Sequence, residues 1–352
     1  MEESIQTNET NKEVAELKTF PVPFTLIEIK ENITIYTHTP SKPSKEELIN
    51  QANRFHSQGN ISEAAKYYQH FINQGFKDYR VFVNYGSVLQ SLGKLQEAER
   101  LTRKAIDLKP DFAEAYSNLG GLLKDQGKLK EAELYIRKSI KFNPKFFNSH
   151  FLLSNVLIKQ KKLQEAEKCL RKTIQLNPNF AIAYLNLGSI MIDLGRLHDA
   201  ESSTRKAIQL KADYKYAHLN LGNILRALGK FKEAELSTRK AIELNPNYVE
   251  AHSNLGGLLK DQGKLKEAEL SLRKAIELNP NYAEAHSNLG GLLKDQGKLK
   301  EAELSLRKAI ELNPNFAIAY FNLSSLKYSN KNTKWKDQLF SESILKNKLQ
   351  KD

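Results

Sequence analysis

Apolar residues recur along this chain at helical spacing, in short runs that stop and restart at regular intervals. In the stretch 283–316, Ala285, Leu289, Leu292 and Leu293 fall on one helix face. Gly297 follows them and predicts a helix end closed by a residue in the left-handed conformation. A second stripe, Leu299, Ala302, Leu306, Ala309, Ile310 and Leu312, runs up to Asn313-Pro314. There the residue before proline is driven out of the helical region, so the helix stops. The pattern predicts two amphipathic helices joined by a tight turn, with Gly290 and Ala302 small where the two must approach.

The same pattern returns along most of the chain. Residues 250–281 and 284–315 are identical, an offset of 34. Pro110, Pro144, Pro178, Pro246, Pro280 and Pro314 keep that offset, with Ala212 in the missing slot. A fixed period of this length marks a solenoid, in which each hairpin buries its apolar face only by stacking on the next. Full units are assigned to 79–112, 113–146, 147–180, 181–214, 215–248, 249–282 and 283–316. Divergent units at 45–78 and 317–350 are expected to cap the ends, because a terminal unit turns one face to water. Residues 1–44 form a leader outside the repeat, with "TLIEIKENITIYT" at 25–37 either a short hairpin docked on the first unit or a disordered segment.

These residues resemble the tetratricopeptide repeat (TPR) family. That family has a large residue at position four, leucine at seven, glycine or alanine at eight, alanine at twenty and proline near the end. Here those places are taken, in one unit, by Tyr116, Leu119, Gly120, Ala132 and Pro144, with Ile136 and Ser139 between the last two. The resemblance implies an all-α fold, a right-handed TPR α-solenoid of about nine helix–turn–helix units over 45–350.

Position six carries the candidate chemistry. It reads Asn50, Asn84, Asn118, Leu152, Asn186, Asn220, Asn254, Asn288 and Asn322, although asparagine is a poor helix former. An amide offers donors and an acceptor together, which matches a peptide backbone. The ladder is similar to that of the O-linked N-acetylglucosamine transferases, whose TPR superhelix shares the pattern seen here as "NLGGLLKDQG". The resemblance implies an inner groove in which Asn84, Asn118, Asn186, Asn220, Asn254, Asn288 and Asn322 clamp an extended or disordered protein segment by its backbone. The other reading is that duplication copied an asparagine that merely bonds within its own helix pair. Position nine, small or polar throughout, is expected to leave room over the ladder. Lys124, Lys260 and Lys294, beside Asp125, Asp261 and Asp295, are expected to edge the groove.

Charge changes this picture only locally. The net charge is +13, yet units 249–282 and 283–316 each balance five basic against five acidic residues. The excess collects in 147–180, around "IKQKKLQ", and after Ser324. Each Arg of the recurring Arg-Lys pairs follows a Glu four residues earlier, as in Glu269 and Arg273, the favourable order for a helical ion pair. RNA binding along this ridge and the tail is an alternative that the lack of interleaved aromatics disfavours. His150, His218, His252 and His286 repeat at position four and are assigned to packing, since ligands one unit apart cannot share an ion. "GLLKDQGKL" lacks the spacing and the Ser/Thr of a phosphate loop.

The lone Cys169 is read as a packed thiol, and no cofactor, metal site or catalytic constellation is assigned. No apolar run approaches a membrane span, and the start has no secretory signal, so a cytoplasmic location is expected. With no catalytic constellation the reading is a non-enzymatic interaction scaffold, and its Lys-, Asn- and Ile-rich repeats resemble bacterial ones. With no room for a catalytic domain after the ninth unit, a glycosyltransferase could be served only in trans.

Overall fold

The structure is a computed structural model that describes residues 43–326. Seventeen α-helices and no strands occur among the described residues. The first helices of successive units are α1 (Lys45–Ser57), α3 (Tyr79–Ser91), α5 (Ala113–Asp125), α7 (Phe147–Lys159), α9 (Ala181–Asp193), α11 (Lys215–Ala227), α13 (Val249–Asp261), α15 (Ala283–Asp295) and α17 (Ala317–Ser324). The second helices are α2 (Ile61–Asn73), α4 (Leu95–Leu108), α6 (Leu129–Phe142), α8 (Leu163–Leu176), α10 (Leu197–Leu210), α12 (Phe231–Leu244), α14 (Leu265–Leu278) and α16 (Leu299–Leu312). The segment 25–37, Trp335 and most of unit 317–350 lie outside the described residues.

Each predicted turn has a concrete hydrogen-bond pattern. Gly297 sits at φ 76°, its N–H donates to the Lys294 carbonyl at 3.0 Å, and the Lys298 N–H donates to the Leu293 carbonyl at 2.9 Å. That pair of bonds is a Schellman motif, which satisfies carbonyls left over at the helix end. One unit builds the same turn without glycine: Lys161 holds φ 61° where the other full units have Gly. A side chain in this conformation costs about 1–2 kcal/mol, partly offset by the greater freedom glycine has when unfolded. Lys161→Gly is therefore expected to raise the urea midpoint, by the equivalent of about 0.5–1 kcal/mol.

Packing within a hairpin depends on the missing side chain at position eight. A Cβ on Gly290 would lie 2.5 Å from Leu306 Cγ and 3.2 Å from the Ala302 carbonyl oxygen. Glycine thus lets α15 rest directly on α16, with Leu306 and Ala302 fully buried between them. The expected stripe is buried at Ala285, Leu289, Leu292, Leu293, Ala302, Leu306, Ala309 and Ile310.

Each hairpin then packs on the next, and two polar ladders fasten the stack. At position four, His150, His218, His252 and His286 each place Nε2 within 2.8–2.9 Å of the carbonyl of the preceding unit's Pro144, Ala212, Pro246 or Pro280. Tyr116 donates its hydroxyl to Pro110 in the same way at 3.0 Å. The slot assigned to packing is thus a latch, and His and Tyr interchange there because each offers a donor at the ring's far end.

The second ladder runs along the even-numbered helices. Glu269 accepts from Arg273 four residues on and from Lys298 of the next unit at 2.9 Å. Glu235 does the same with Arg239 and Lys264, and Glu201 with Arg205 and Lys230. Arg205 and Arg239 also reach forward to Glu233 and Glu267. The ridge arginines foreseen as paired within their own helix are therefore paired between units as well.

Candidate functional site

First helices of neighbouring units approach one another, whereas second helices do not come as close. A stack whose two layers differ in spacing curves toward the tighter one, so the odd-numbered helices form its inner face. The asparagines at position six lie on this layer. Asn84, Asn118, Asn186, Asn220, Asn254 and Asn322 are half-buried and Asn288 is exposed.

Most of these amides reach back to position nine of the unit before. Asn84 Nδ2 donates to Asn53 Oδ1 at 3.1 Å, and Asn118 to Ser87 Oγ at 3.0 Å. Asn186 donates to Asn155, Asn220 to Ser189 and Asn254 to Asn223, at 2.9–3.1 Å. Position nine is thus an acceptor for the ladder and not merely clearance above it, which corrects the expectation from sequence. Where position nine is Gly257, no acceptor exists, and Asn288 turns instead to Ser253 Oγ at 3.2 Å.

One N–H is engaged in this way in Asn84, Asn118, Asn186, Asn220, Asn254 and Asn288. For Asn118, Asn186, Asn220, Asn254 and Asn288, the side-chain carbonyl accepts no hydrogen bond from the described residues. The neighbouring unit therefore holds these five amides in one orientation while leaving each a donor and an acceptor. The bonds run to the preceding unit and not within the asparagine's own helix pair.

The cations foreseen at the edge are at position twelve, and Lys260 and Lys294 reach forward to the next unit. Lys260 Nζ pairs with Asp295 of the next unit at 2.8 Å, Lys294 donates to Ser325 at 3.1 Å, and Lys124 pairs with its neighbour Asp125 at 3.0 Å. Arg226, which sequence reasoning passed over, pairs with Asp261 at 2.6 Å and extends its guanidinium over Gly257. Gln90 bonds Asp125 from the same position. The repeat register alone pointed to both, since they occupy the lysine's slot.

No cluster of His, Cys, Asp or Glu able to hold a metal occurs among the described residues. Burial pushes the Cys169 thiol up to about 11, so it stays protonated and unreactive at neutral pH. No helix among the described residues is long and apolar enough to cross a membrane.

Stacked helical hairpins with a polar inner layer define an α-solenoid of the interaction-scaffold class. Tetratricopeptide repeat models match residues 79–112, 113–146, 147–180, 181–214, 216–248 and 283–316, and TPR models that overlap these match 238–269 and 256–294. The chain belongs to the tetratricopeptide repeat family. No curated protein matches it significantly in sequence.

Among solved structures it is similar to the Cut9–Hcn1 hetero-tetramer of the APC/C, at 16% identity and a TM-score of 0.61, covering 81% of this chain and 56% of that one. It therefore spans little more than half of that chain's length. It is also similar to a tetratricopeptide repeat protein from Parabacteroides merdae (19% identity, TM-score 0.57, 70% of this chain and 97% of that one). A third is pilF of Pseudomonas aeruginosa (19% identity, TM-score 0.53, 61% and 98%). At these identities the likeness is one of fold.

Proposed function

We propose that the inner layer binds an extended polypeptide by its backbone, with Asn84, Asn118, Asn186, Asn220, Asn254, Asn288 and Asn322 as the clamp and Lys124, Lys260 and Lys294 along its edge. The observation that carries this reading is the held amide. Asn118, Asn186, Asn220, Asn254 and Asn288 each use one N–H on the neighbouring unit and retain a donor and an acceptor, the pair that one residue of a backbone requires. Rungs one helical layer apart are ~10 Å from each other, about three residues of extended chain. A bound strand therefore meets one rung in every three residues, and the residues between are free to carry sequence preference.

Because the contacts are made to backbone, the expected ligands are disordered or extended segments rather than folded domains. Each polar contact nets only ~0.5–1.5 kcal/mol, so several together, less the cost of association, place binding nearer micromolar than nanomolar.

The test compares wild type with Asn220→Ala/Asn254→Ala/Asn288→Ala in selection from a display library of random short peptides. Alanine favours helix, which compensates for the inter-unit hydrogen bonds removed, so circular dichroism is expected to show the fold retained. Loss of three rungs is expected to weaken selected peptides at least tenfold. Equal binding by both proteins would assign the asparagines to array cohesion alone.

A further inference from the structure

The wider spacing of the second helices leaves grooves on the outer face, and two of them match position by position. Between α8 and α10 a groove of 870 Å³ opens over Ile174, Tyr184 and Leu187. Between α12 and α14 the corresponding groove, over Ile242, His252 and Leu255, measures only 450 Å³. Two exchanges distinguish their chemistry. Where the smaller groove has Leu270 the larger has Ser202, and where the smaller has Glu243 the larger has Gln175. The larger groove thus loses a bulky side chain and a carboxylate together.

Its remaining polar groups are unbalanced. Arg171, Arg205 and Lys206 line it, and no carboxylate does so among the described residues. Arg205 is neutralised by Glu201 and Glu233. Arg171 is not matched in the same way. Arg137 and Arg239 reach forward to Glu165 and Glu267 of the next unit, but Asp199, the acid in that place, is taken by Arg196. Arg171 keeps only Glu167, which it shares with Arg196. Lys206 has only the neutral Gln209 carbonyl, at 2.8 Å, and Lys172 holds the Gln175 carbonyl at 3.0 Å. The amide groups left over on both glutamines are therefore donors. Tyr184 stands where Tyr116 and His218 latch to the preceding unit, yet its hydroxyl bonds to no described residue.

We infer that the α8–α10 groove is a second binding site, on the outer face, for an acidic segment of a partner protein. Surplus positive charge and unpaired donors match carboxylates, which only accept when ionised. Ser202 and Gln209 stand seven residues apart on α10. That is about 10 Å, the span of about three residues of extended chain, so the groove fits a stretch of polypeptide. On either side the ridge is neutralised by ion pairs such as Arg137–Glu165 and Arg239–Glu267, so a nucleic-acid backbone finds no continuous cationic track. The site shares no residue with the amide clamp and does not rest on it.

The test selects short peptides from a random display library on the full-length wild type, then measures their binding to variants. Gln175→Glu/Ser202→Leu converts the groove to the chemistry that α12 and α14 already carry. Arg171→Gln/Lys206→Gln removes the surplus charge by another route, and circular dichroism checks that both fold. Wild type is expected to select a class rich in Asp and Glu whose binding weakens as salt is raised. That class is expected to bind each groove variant roughly tenfold more weakly and to bind Asn220→Ala/Asn254→Ala/Asn288→Ala unchanged. Absence of an acidic class, or equal binding by wild type and both groove variants, would overturn the site. Acidic peptides lost only with the asparagines would place their binding in the inner layer instead. An oligouridylate that binds wild type, is lost in both groove variants and is not displaced by acidic peptides would make the groove a nucleic-acid site and overturn the inference.

Discussion

Leu170→Ala is expected to destabilise the array by about 2–5 kcal/mol and to split its unfolding in two. Leu170 is fully buried on α8, in a cluster that includes Leu153, Val156, Leu157, Ala166 and Ala183. Truncation leaves a cavity in a site whose neighbours are fixed by stacking on both sides, so little relaxation can fill it. In a compact domain such a loss lowers a single transition. A stack of units has mostly nearest-neighbour couplings, and a weak central unit uncouples the two ends. Urea unfolding should then show two phases, and hydrogen exchange should be fastest in 147–180, with both flanks more protected. A single sharp transition with uniform exchange would mean that coupling along the array is stronger than nearest-neighbour contacts provide.

Acid is expected to weaken the array through the ladder on its even-numbered helices. Hydrogen bonds from Lys264, then Arg239 and Gln262, hold Glu235 down to about 2 against the opposing effect of burial. Those from Lys298 and Arg273 hold Glu269 down to about 2 as well. At Glu133, burial pulls upward, but hydrogen bonds from Arg137, Lys162 and Gln160 outweigh it and the net shift is downward.

A carboxylate whose pKa is lower folded than unfolded stabilises the fold fully above its unfolded value, near 4.5. As pH falls from there toward about 2, the unfolded chain takes up protons first and that stability is lost. Melting temperature should therefore be flat from pH 7 to about 5 and fall steeply below. Glu235→Gln/Glu269→Gln should melt lower at pH 7 but lose less on acidification. Parallel curves for the two proteins would show that these carboxylates do not carry the acid response.

The hairpin itself was legible in the sequence. The stripe through Leu289 and Leu293, the glycine at 297, the Asn313-Pro314 stop and the small pair Gly290 and Ala302 all stand where the pattern put them. So does the ion pair from Glu269 to Arg273. Each of these relations lies within one helix or one turn, where 3.6 residues per turn and the allowed backbone angles dictate which side chains meet.

Relations between hairpins were not legible. Nothing in a linear reading says that Asn254 will bond Asn223, that Lys298 will reach Glu269, or that His286 will latch to Pro280. Those depend on how one hairpin sits on the next. Local order was thus determined by the sequence alone, through its spacing of apolar residues, glycines and prolines. The partners of the ladder asparagines were decided only by the stacking of whole units.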